Sequence, residues 1–194
     1  IPKYKIELDD MKKKLIFEGE YEKGHKRKGR EYIEGKLEYE GEYLFNKKFN
    51  GKGYDEYGNI IYELSNGNGN VKEYNIKRKL IFEGIYFDGI RNGKGKEYNN
   101  NGQLIFEGEY LNGRRNGKGK EYNREGDLIF IGEYSNGKRN GKGKEFNILG
   151  EIKFEGEYLN GKKWNGKGTD YYGDNYVNFE ILNGEKKTTF CLLI

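Results

Sequence analysis

The chain contains only one cysteine, one histidine, one proline, one methionine and one tryptophan among its 194 residues. A single cysteine, Cys191, excludes an internal disulfide and is typical of a reducing compartment, so we expect a cytoplasmic protein. No apolar run approaches the roughly 18 residues of a membrane helix, and no signal peptide is recognisable. Because the chain begins with Ile1 rather than Met, we expect a trimmed or missing N terminus, which could have included a targeting segment.

These scarcities also argue against an enzyme. The one histidine, His25, lies in the turn KGHKRKG without neighbouring ligands, so we expect an exposed loop residue and no metal site. No Ser/His/Asp or Cys/His set can be assembled. Glu107 and Glu109 recur as pairs, but strand carboxylates usually pair with lysine across strands and rarely form a glycosidase pair. The Gly-x-Gly of NGKGK lacks the GK[ST] ending of a phosphate loop. We therefore expect no catalytic residue and no cofactor.

Glycine and aromatic residues are abundant instead, with 31 Gly, 18 Tyr and 11 Phe. A thick two-layer core needs many aliphatic side chains, which this chain lacks, whereas so many rings and regular turn residues are not typical of a disordered coil. The composition therefore favours a thin, elongated fold. The 36 basic and 32 acidic residues leave a net charge of +4, which does not favour nucleic acid as a partner.

One block, "xIFEG", recurs along the chain at spacings of 20 to 24 residues. This period predicts seven repeat units, between an N-terminal lead-in segment (1–14) and C-terminal capping strands (176–194). A helical period is conceivable only over Ile6–Lys14. The predicted units are 15–36, 37–59, 60–79, 80–103, 104–127, 128–151 and 152–175.

Each unit is predicted to form a β-hairpin. In LIFEGEYL (104–111), apolar and polar residues alternate, NGRRNG (112–117) has turn composition, and KGKEYN (118–123) is the returning strand. A glycine such as Gly108 has an aromatic residue two positions away on each side, on the same face. Neighbouring rings that lie across such a glycine stabilise the strand. The fold class is therefore all-β, with an aromatic row on one face.

The tandem pattern EGEYLNGxxNGKGKEY resembles the MORN repeat (membrane occupation and recognition nexus), over Leu15 to about Gly173. The resemblance implies an elongated, single-layer, twisted antiparallel sheet with a concave aromatic groove. It also implies that the groove binds a helix or an extended segment of another protein, or that the chain pairs with a second copy. Two units, at 46–53 and 161–168, carry an extra aromatic residue, Phe49 or Trp164, and are followed by irregular sequence. We expect the sheet to bend or end there.

Our leading hypothesis is a non-catalytic scaffold that binds another polypeptide, or itself, through the aromatic groove, because an exposed aromatic stripe marks an interaction site. The predicted partner-binding residues are Phe82, Tyr86, Phe106, Tyr110, Phe130, Tyr134, Phe154, Tyr158 and Trp164.

The alternatives use other features of the chain. Basic residues cluster at the predicted turns, and stacked hairpins would align them as a basic edge for anionic or phosphoinositide membranes, although edge protection also explains them. An accessory module of a larger enzyme or toxin is a third hypothesis. The final Cys191-Leu192-Leu193-Ile194 fits a prenylation signal, although a packed strand is the simpler interpretation. The location would then be cytoplasmic, with membrane or cytoskeleton association. The basic-edge residues are Arg114, Arg115, Lys118, Lys138, Arg139, Lys142, Lys162 and Lys163.

Overall fold

A computed structural model describes residues 1–10, 14–172 and 175–189 of the chain, and their secondary structure is all β. The described strands are antiparallel and lie in two open sheets, which confirms the fold class. No helix in these ranges is long and apolar enough to cross a membrane. The chain divides into two compact units, Ile1–Gln103 (unit 1) and Leu104–Ile194 (unit 2). The prenylation signal at 191–194 lies outside the described residues.

Unit 1 holds a six-stranded sheet in sequence order, β1 to β6, followed by three strands of the second sheet, β7 to β9. The strands are β1 (Lys3–Leu8), β2 (Leu15–Glu22), β3 (His25–Ile33), β4 (Lys36–Leu44), β5 (Lys47–Tyr54), β6 (Ile60–Leu64), β7 (Gly69–Tyr74), β8 (Leu80–Phe87) and β9 (Ile90–Tyr98).

Unit 2 consists of four further hairpins, whose strands pair in sequence order. The strands are β10 (Leu104–Leu111), β11 (Arg114–Tyr122), β12 (Leu128–Ser135), β13 (Lys138–Phe146), β14 (Ile152–Leu159), β15 (Lys162–Tyr172), β16 (Asn175–Leu182) and β17 (Glu185–Thr189).

The hairpin turn is shorter than the sequence pattern suggested. Only Asn112 and Gly113 form it, with φ of 50° and 80°, because a two-residue turn with both residues at positive φ matches the twist of the flanking strands. The second Asn-Gly pair belongs to a β-bulge in β11. The pairing passes from Gly108 opposite Gly119 to Tyr110 opposite Arg115, which leaves three residues of β11 opposite one residue of β10.

Successive repeats of unit 2 are also joined through their turns and connections. The amide N–H of Gly137 donates to the carbonyl of Arg115, and that of Gly161 to the carbonyl of Arg139, both at 2.8 Å. At the opposite end of the hairpins, the Asn123 side chain accepts the amides of residues 125 and 127 at 3.0 and 2.8 Å. This Asx-type loop fixes the path from β11 into β12.

The lead-in segment contains a strand rather than a helical turn. β1 occupies the place of a returning strand, because Glu7 pairs with Phe17 as Glu121 pairs with Phe130. The helical pattern considered for 6–14 is therefore wrong at its start, since Ile6 lies in β1. Residues 11–13 of that pattern lie outside the described residues. The alternation of Lys and Glu with apolar residues in KYKIEL fits a strand with two different faces.

The first predicted interruption, after Phe49, is confirmed. β6 and β7 share one bridge, Ser65 with Asn68, and otherwise belong to different sheets. At the second interruption, after Trp164, the pairing continues through β16 to β17, the last described strand.

Candidate functional site

The candidate site is the aromatic face of unit 2, defined as the sheet face that carries the phenylalanine of each repeat. Phe106, Phe130 and Phe154 are fully buried on this face, with 0% exposure. Tyr110, Tyr134 and Tyr158, four residues further along their strands, are only 3–4% exposed. The sequence correctly placed these six rings on one face, but the premise that they form an exposed stripe is wrong.

The rings are buried partly because they lie directly on glycine backbone. A Cβ atom at Gly119 would lie 2.4 Å from Cζ of Phe106, and one at Gly108 would lie 2.7 Å from the same atom. Contacts this short would force the ring away, so only glycine allows the ring to occupy its place. The ring-over-glycine prediction is thereby confirmed, with each phenylalanine covering one glycine on its own strand and another on the next strand.

The tyrosines connect the phenylalanines into a continuous aromatic row. Tyr134 makes edge-to-face contacts with Phe106 and Phe130, at centroid distances of 5.1 and 5.6 Å. Tyr158 repeats these contacts with Phe130 and Phe154, at 5.1 and 5.5 Å. Edge-to-face pairs add favourable energy beyond that of burial. The row therefore stabilises unit 2 across repeats as well as within each repeat.

Cationic side chains cover the outer surface of the row. The guanidinium carbons of Arg115 and Arg139 lie 4.2 and 4.0 Å from the ring centroids of Phe106 and Phe130, and Lys163 Nζ lies 4.7 Å from that of Phe154. These cations complete the burial of rings that a single-layer sheet would otherwise expose, and we call them the cationic cover. Their own side chains remain 21–25% exposed, so the cover forms the accessible surface of this face.

Two glutamates hold the cover in place. Arg139 binds Glu121 through Nε (3.3 Å) and Nη2 (2.5 Å), and its Nη1 donates to Glu145 at 2.8 Å. Tyr134 Oη donates to Glu121 at 2.7 Å, and Lys163 pairs with Glu145 at 2.7 Å. Burial acts to raise the pKa of Glu121, but hydrogen bonds from Arg139 and Tyr134 outweigh it and lower that pKa below its ordinary value.

Sequence reasoning missed these glutamates as part of the site. A signal was present, because Glu121 follows Gly119 by two residues and therefore shares its face. The register then places Glu121 between Phe106 on one neighbouring strand and Phe130 on the other. Alternation shows the shared face, but only the pairing shows which ring and which arginine the carboxylate meets.

Unit 1 builds the same kind of face but closes it with its own strands. Val71 of β7 belongs to the buried cluster around Phe17 and Tyr39, and Tyr86 of β8 packs against that cluster. The predicted residues Phe82 and Tyr86 therefore lie in this self-covered unit, with Phe82 fully buried. The aromatic face of unit 1 is thus occupied largely by the chain itself.

A cavity of about 530 Å³ remains in unit 1, and charged groups line it. Lys48 binds Glu38 at 2.5 Å and Glu31 at 3.3 Å. Glu38 is only 5% exposed and stands where five of the other six predicted repeats have isoleucine, the exception being Lys153. Burial raises the pKa of Glu38, and the attraction of Lys48 offsets this only in part. Lys26 also pairs with Glu31, at 2.9 Å, so two lysines balance the two glutamates and the four residues form a structural ion-pair cluster.

The predicted basic edge divides into two sets that face different directions. Arg115, Arg139 and Lys163 belong to the cationic cover on the aromatic face. The other five side chains are exposed, away from the aromatic rings: Arg114, Lys118, Lys138, Lys142 and Lys162. The reason is the strand period of two, which turns consecutive residues such as Arg114 and Arg115 to opposite faces.

The opposite face of the sheet, which we call the outer face, carries ordinary cross-strand pairs. Glu107 accepts hydrogen bonds from Lys120 Nζ (3.0 Å) and Tyr122 Oη (2.8 Å), so it has the structural pairing expected of a strand carboxylate.

His25 is exposed, with Nδ1 at 2.9 Å from the side-chain nitrogen of Asn46. Across the described ranges, no three His, Cys, Asp or Glu residues are grouped so that they could hold a metal ion.

The last predicted partner-binding residue, Trp164, lies apart from the aromatic row. A Cβ atom at Gly184 would lie 3.4 Å from the Trp164 ring, and the Gly184 amide donates to the Trp164 carbonyl at 2.8 Å. The half-buried indole therefore packs against the turn between β16 and β17.

Comparison with known families agrees with this architecture. The MORN repeat model matches three consecutive segments, 82–103, 106–128 and 130–146. No curated protein matches the chain in a sequence search. The matched segments cover the phenylalanines, glycines and glutamates of β8 to β13, and MORN repeats are in general non-catalytic modules that bind proteins or membranes. The segments between 82 and 146 are therefore MORN repeats, and hairpins of the same design occur in both units.

Proposed function

We propose that this protein is a non-catalytic scaffold that binds another polypeptide, as a helix or an extended segment, through the aromatic face of unit 2. The observation that carries the proposal is the cationic cover. It recurs with the repeat, so its side chains follow one another every second strand, roughly 9.6 Å apart. A surface with such a period is suited to a partner that lies along it, and no single position has the convergent groups of a catalytic centre.

The energetics of the cover also support partner binding. Arginine and tyrosine are enriched among the residues that contribute most to protein interfaces. Arg139 is held by Glu121 and Glu145 before any partner arrives, so little side-chain entropy is lost on binding. The buried rings beneath it act as a rigid base. Their role in binding is therefore indirect, through the position of the cations above them.

Adjacent residues supply matched variants for the test. Arg115→Ser removes a cation from the cover, whereas Arg114→Ser removes the same charge from the exposed set one residue away. Lys163→Ser and Lys162→Ser form a second such pair. Polypeptides captured by crosslinking to the wild-type chain would be purified and titrated against all four variants by calorimetry. We expect the cover variants to weaken binding by at least about tenfold and the exposed variants by less than about threefold. The reverse order would reject the aromatic face as the binding surface.

A second candidate function, peripheral binding to anionic membranes, is favoured by the edge that carries the exposed cations. Leu111 pairs with Arg114 and Leu159 with Lys162 at the ends of their hairpins, and the two leucines are 48% and 42% exposed. Alternating apolar and cationic side chains suit the boundary between headgroups and acyl chains.

Liposome flotation tests this second candidate. If the edge binds membranes, the wild type floats with vesicles that contain phosphatidylserine, and Arg114→Ser combined with Lys162→Ser abolishes flotation. Arg115→Ser combined with Lys163→Ser is the control that keeps the edge intact. A wild-type chain that stays in the soluble fraction at physiological salt rejects the membrane function.

A further inference from the structure

One strand of unit 2 interrupts the row of alternating charges that crosses the outer face. Ile131 of β12 stands where each of the other six predicted repeats has a glutamate, such as Glu107 or Glu155. Its direct neighbours across the sheet are Lys120 on β11 and Lys144 on β13. A glutamate between two lysines is a favourable cross-strand arrangement. Isoleucine instead leaves a 38% exposed apolar side chain between them.

Four lysines surround Ile131 on the outer face, and we call them the lysine patch: Lys118, Lys120, Lys142 and Lys144. Lys120 binds Glu107 on β10, at 3.0 Å. Lys144 binds Glu155 on β14, at the same distance. Both ammonium groups therefore lean away from Ile131. Exposed ion pairs of this kind are weak, and an ammonium group has three donors, so both lysines can bind a further carboxylate.

The other two lysines of the patch are unpaired. Lys118 and Lys142 are exposed, and neither forms an ion pair with any residue that the structure describes. Glu133 lies opposite Lys118, but one of its oxygens accepts the backbone amide of Lys142 at 2.8 Å. Glu133 is the only carboxylate that these three fully described strands place on the outer face. The patch therefore carries an excess of positive charge around an apolar centre.

We infer that the lysine patch binds an acidic segment of another polypeptide, in which an apolar side chain covers Ile131 and carboxylates on either side of it reach the lysines. β11 and β13 lie about 9.6 Å apart. In an extended segment that crosses β12, alternate residues are about 6.8 Å apart and point to one face. An acidic, apolar, acidic order at alternate positions therefore brings one carboxylate to each side of Ile131. The outward lean of Lys120 and Lys144 matches this spacing.

The charges around the patch favour a short acidic segment over an extended polyanion. Glu107 and Glu109 border the patch on β10, and Glu155 and Glu157 border it on β14. A membrane surface or a nucleic acid strand would cover these carboxylates as well as the lysines, and like charges that face each other weaken an interface. A segment with two carboxylates fits between the two acidic strands. The patch and the cationic cover lie on opposite faces, and the inference does not rest on the proposed function.

Titration of a labelled peptide against the full chain, followed by fluorescence anisotropy, tests the partner chemistry. The probe has the core Glu-Glu-Leu-Glu-Glu, and its counterpart has the core Gln-Gln-Leu-Gln-Gln. We expect the acidic peptide to bind at least about tenfold more tightly than its counterpart, and less tightly as salt increases. No binding of the acidic peptide at up to about 1 mM chain, or equal binding of the two peptides, would overturn the inference.

Ile131→Glu tests the position of the site, because it restores the carboxylate that the other repeats have. The new glutamate would pair with Lys120 and Lys144, so binding of the acidic peptide should weaken by at least about tenfold while thermal melts show an intact fold. Ile85→Glu is the matched control. Ile85 is 42% exposed on the outer face of β8 and lies opposite Asn70, so the same charge change there should weaken binding by less than about threefold. Equal losses would show that only net charge matters and would reject the patch.

Removal of the unpaired lysines tests the site without a new charge. Lys118→Gln combined with Lys142→Gln should weaken binding of the acidic peptide by at least about fivefold. Lys153→Gln combined with Lys162→Gln removes the same charge from exposed positions of β14 and β15 and should change binding by less than about twofold. A patch variant that binds like the wild type contradicts the inference. Vesicles that contain phosphatidylserine are the second probe: if Ile131→Glu releases them but leaves peptide binding unchanged, the patch binds lipid and the polypeptide assignment is wrong.

Discussion

Replacing Gly119 with alanine gives the most direct test of how unit 2 is held together. The new methyl carbon would lie 2.4 Å from Cζ and 2.5 Å from Cε2 of Phe106, and 3.2 Å from Cε2 of Tyr134. No real Cβ atom tolerates the first two contacts, so the Phe106 ring must move off the backbone. Gly119 is not at positive φ, and alanine therefore meets a steric obstacle without added backbone strain.

The magnitude follows from two opposing effects. Forcing a methyl group into a packed core costs about 1–3 kcal/mol, and restricting the unfolded chain returns about 0.4–1 kcal/mol. We expect a net loss in the free energy of unfolding of about 1–2 kcal/mol. For a chain of this length, each kcal/mol lowers the melting temperature by about 2–4 °C.

A double-mutant cycle separates this explanation from general disruption. Phe106→Ala alone should cost about 3–5 kcal/mol. Once the Phe106 ring is gone, Gly119→Ala has no ring to displace. The double variant should therefore lose less free energy of unfolding than the two single variants together, by at least about 1 kcal/mol. Gly113→Ala is the control, because nothing lies within 4 Å of a Cβ there and its cost should add to that of Phe106→Ala. Urea unfolding is measured for the wild type, the three single variants and the two double variants that combine Phe106→Ala with Gly119→Ala or Gly113→Ala. Additive losses for Gly119 and Phe106, or an unchanged midpoint for Gly119→Ala, would refute the ring-over-glycine packing.

Three further predictions concern the charges and loops around the aromatic face. The pKa of Glu121 is lowered in the fold, so its carboxylate stabilises the protein above its unfolded pKa of about 4.3. This stability is lost as the pH falls through the folded pKa. Between pH 7 and pH 3, the free energy of unfolding in urea should therefore fall by less for Glu121→Gln than for wild type. Arg139→Lys should be less stable than wild type by about 1 kcal/mol or more in the same assay, because lysine cannot both stack on Phe130 and bind a carboxylate through two nitrogens, whereas equal stability would show that only the charge matters. Asn123→Ala should cost about 1 kcal/mol by thermal melt through the lost loop hydrogen bonds, and Asn123→Asp should be tolerated, since Asp55 accepts amides in the equivalent loop; a similar loss for both variants would contradict this account.

The repeat, the strands and the faces could be predicted from the sequence because they depend on local chemistry. Strand alternation puts Phe106, Gly108 and Tyr110 on one face whatever lies beside them. Asn112-Gly113 favours positive φ because of its own residue types, whatever the neighbouring strands are. A spacing of 24 residues brings equivalent residues of neighbouring hairpins into line. The extra aromatic residue at Phe49 was likewise a local sign of the interruption that follows it.

Only the tertiary structure shows which side chains are exposed and which are buried on these faces. Consecutive cations were read as one basic edge, yet the bulge at Asn116–Gly117 and the strand period turn Arg115 onto a ring and leave Arg114 exposed. The aromatic stripe appeared exposed because a sequence does not show which long side chain will fold over it. Arg139 covers Phe130 only because the strand register delivers Glu121 and Glu145 to hold it there. Burial, register and ion pairing depend on residues such as Glu121 and Arg139, which are 18 positions apart and become neighbours only when the hairpins stack.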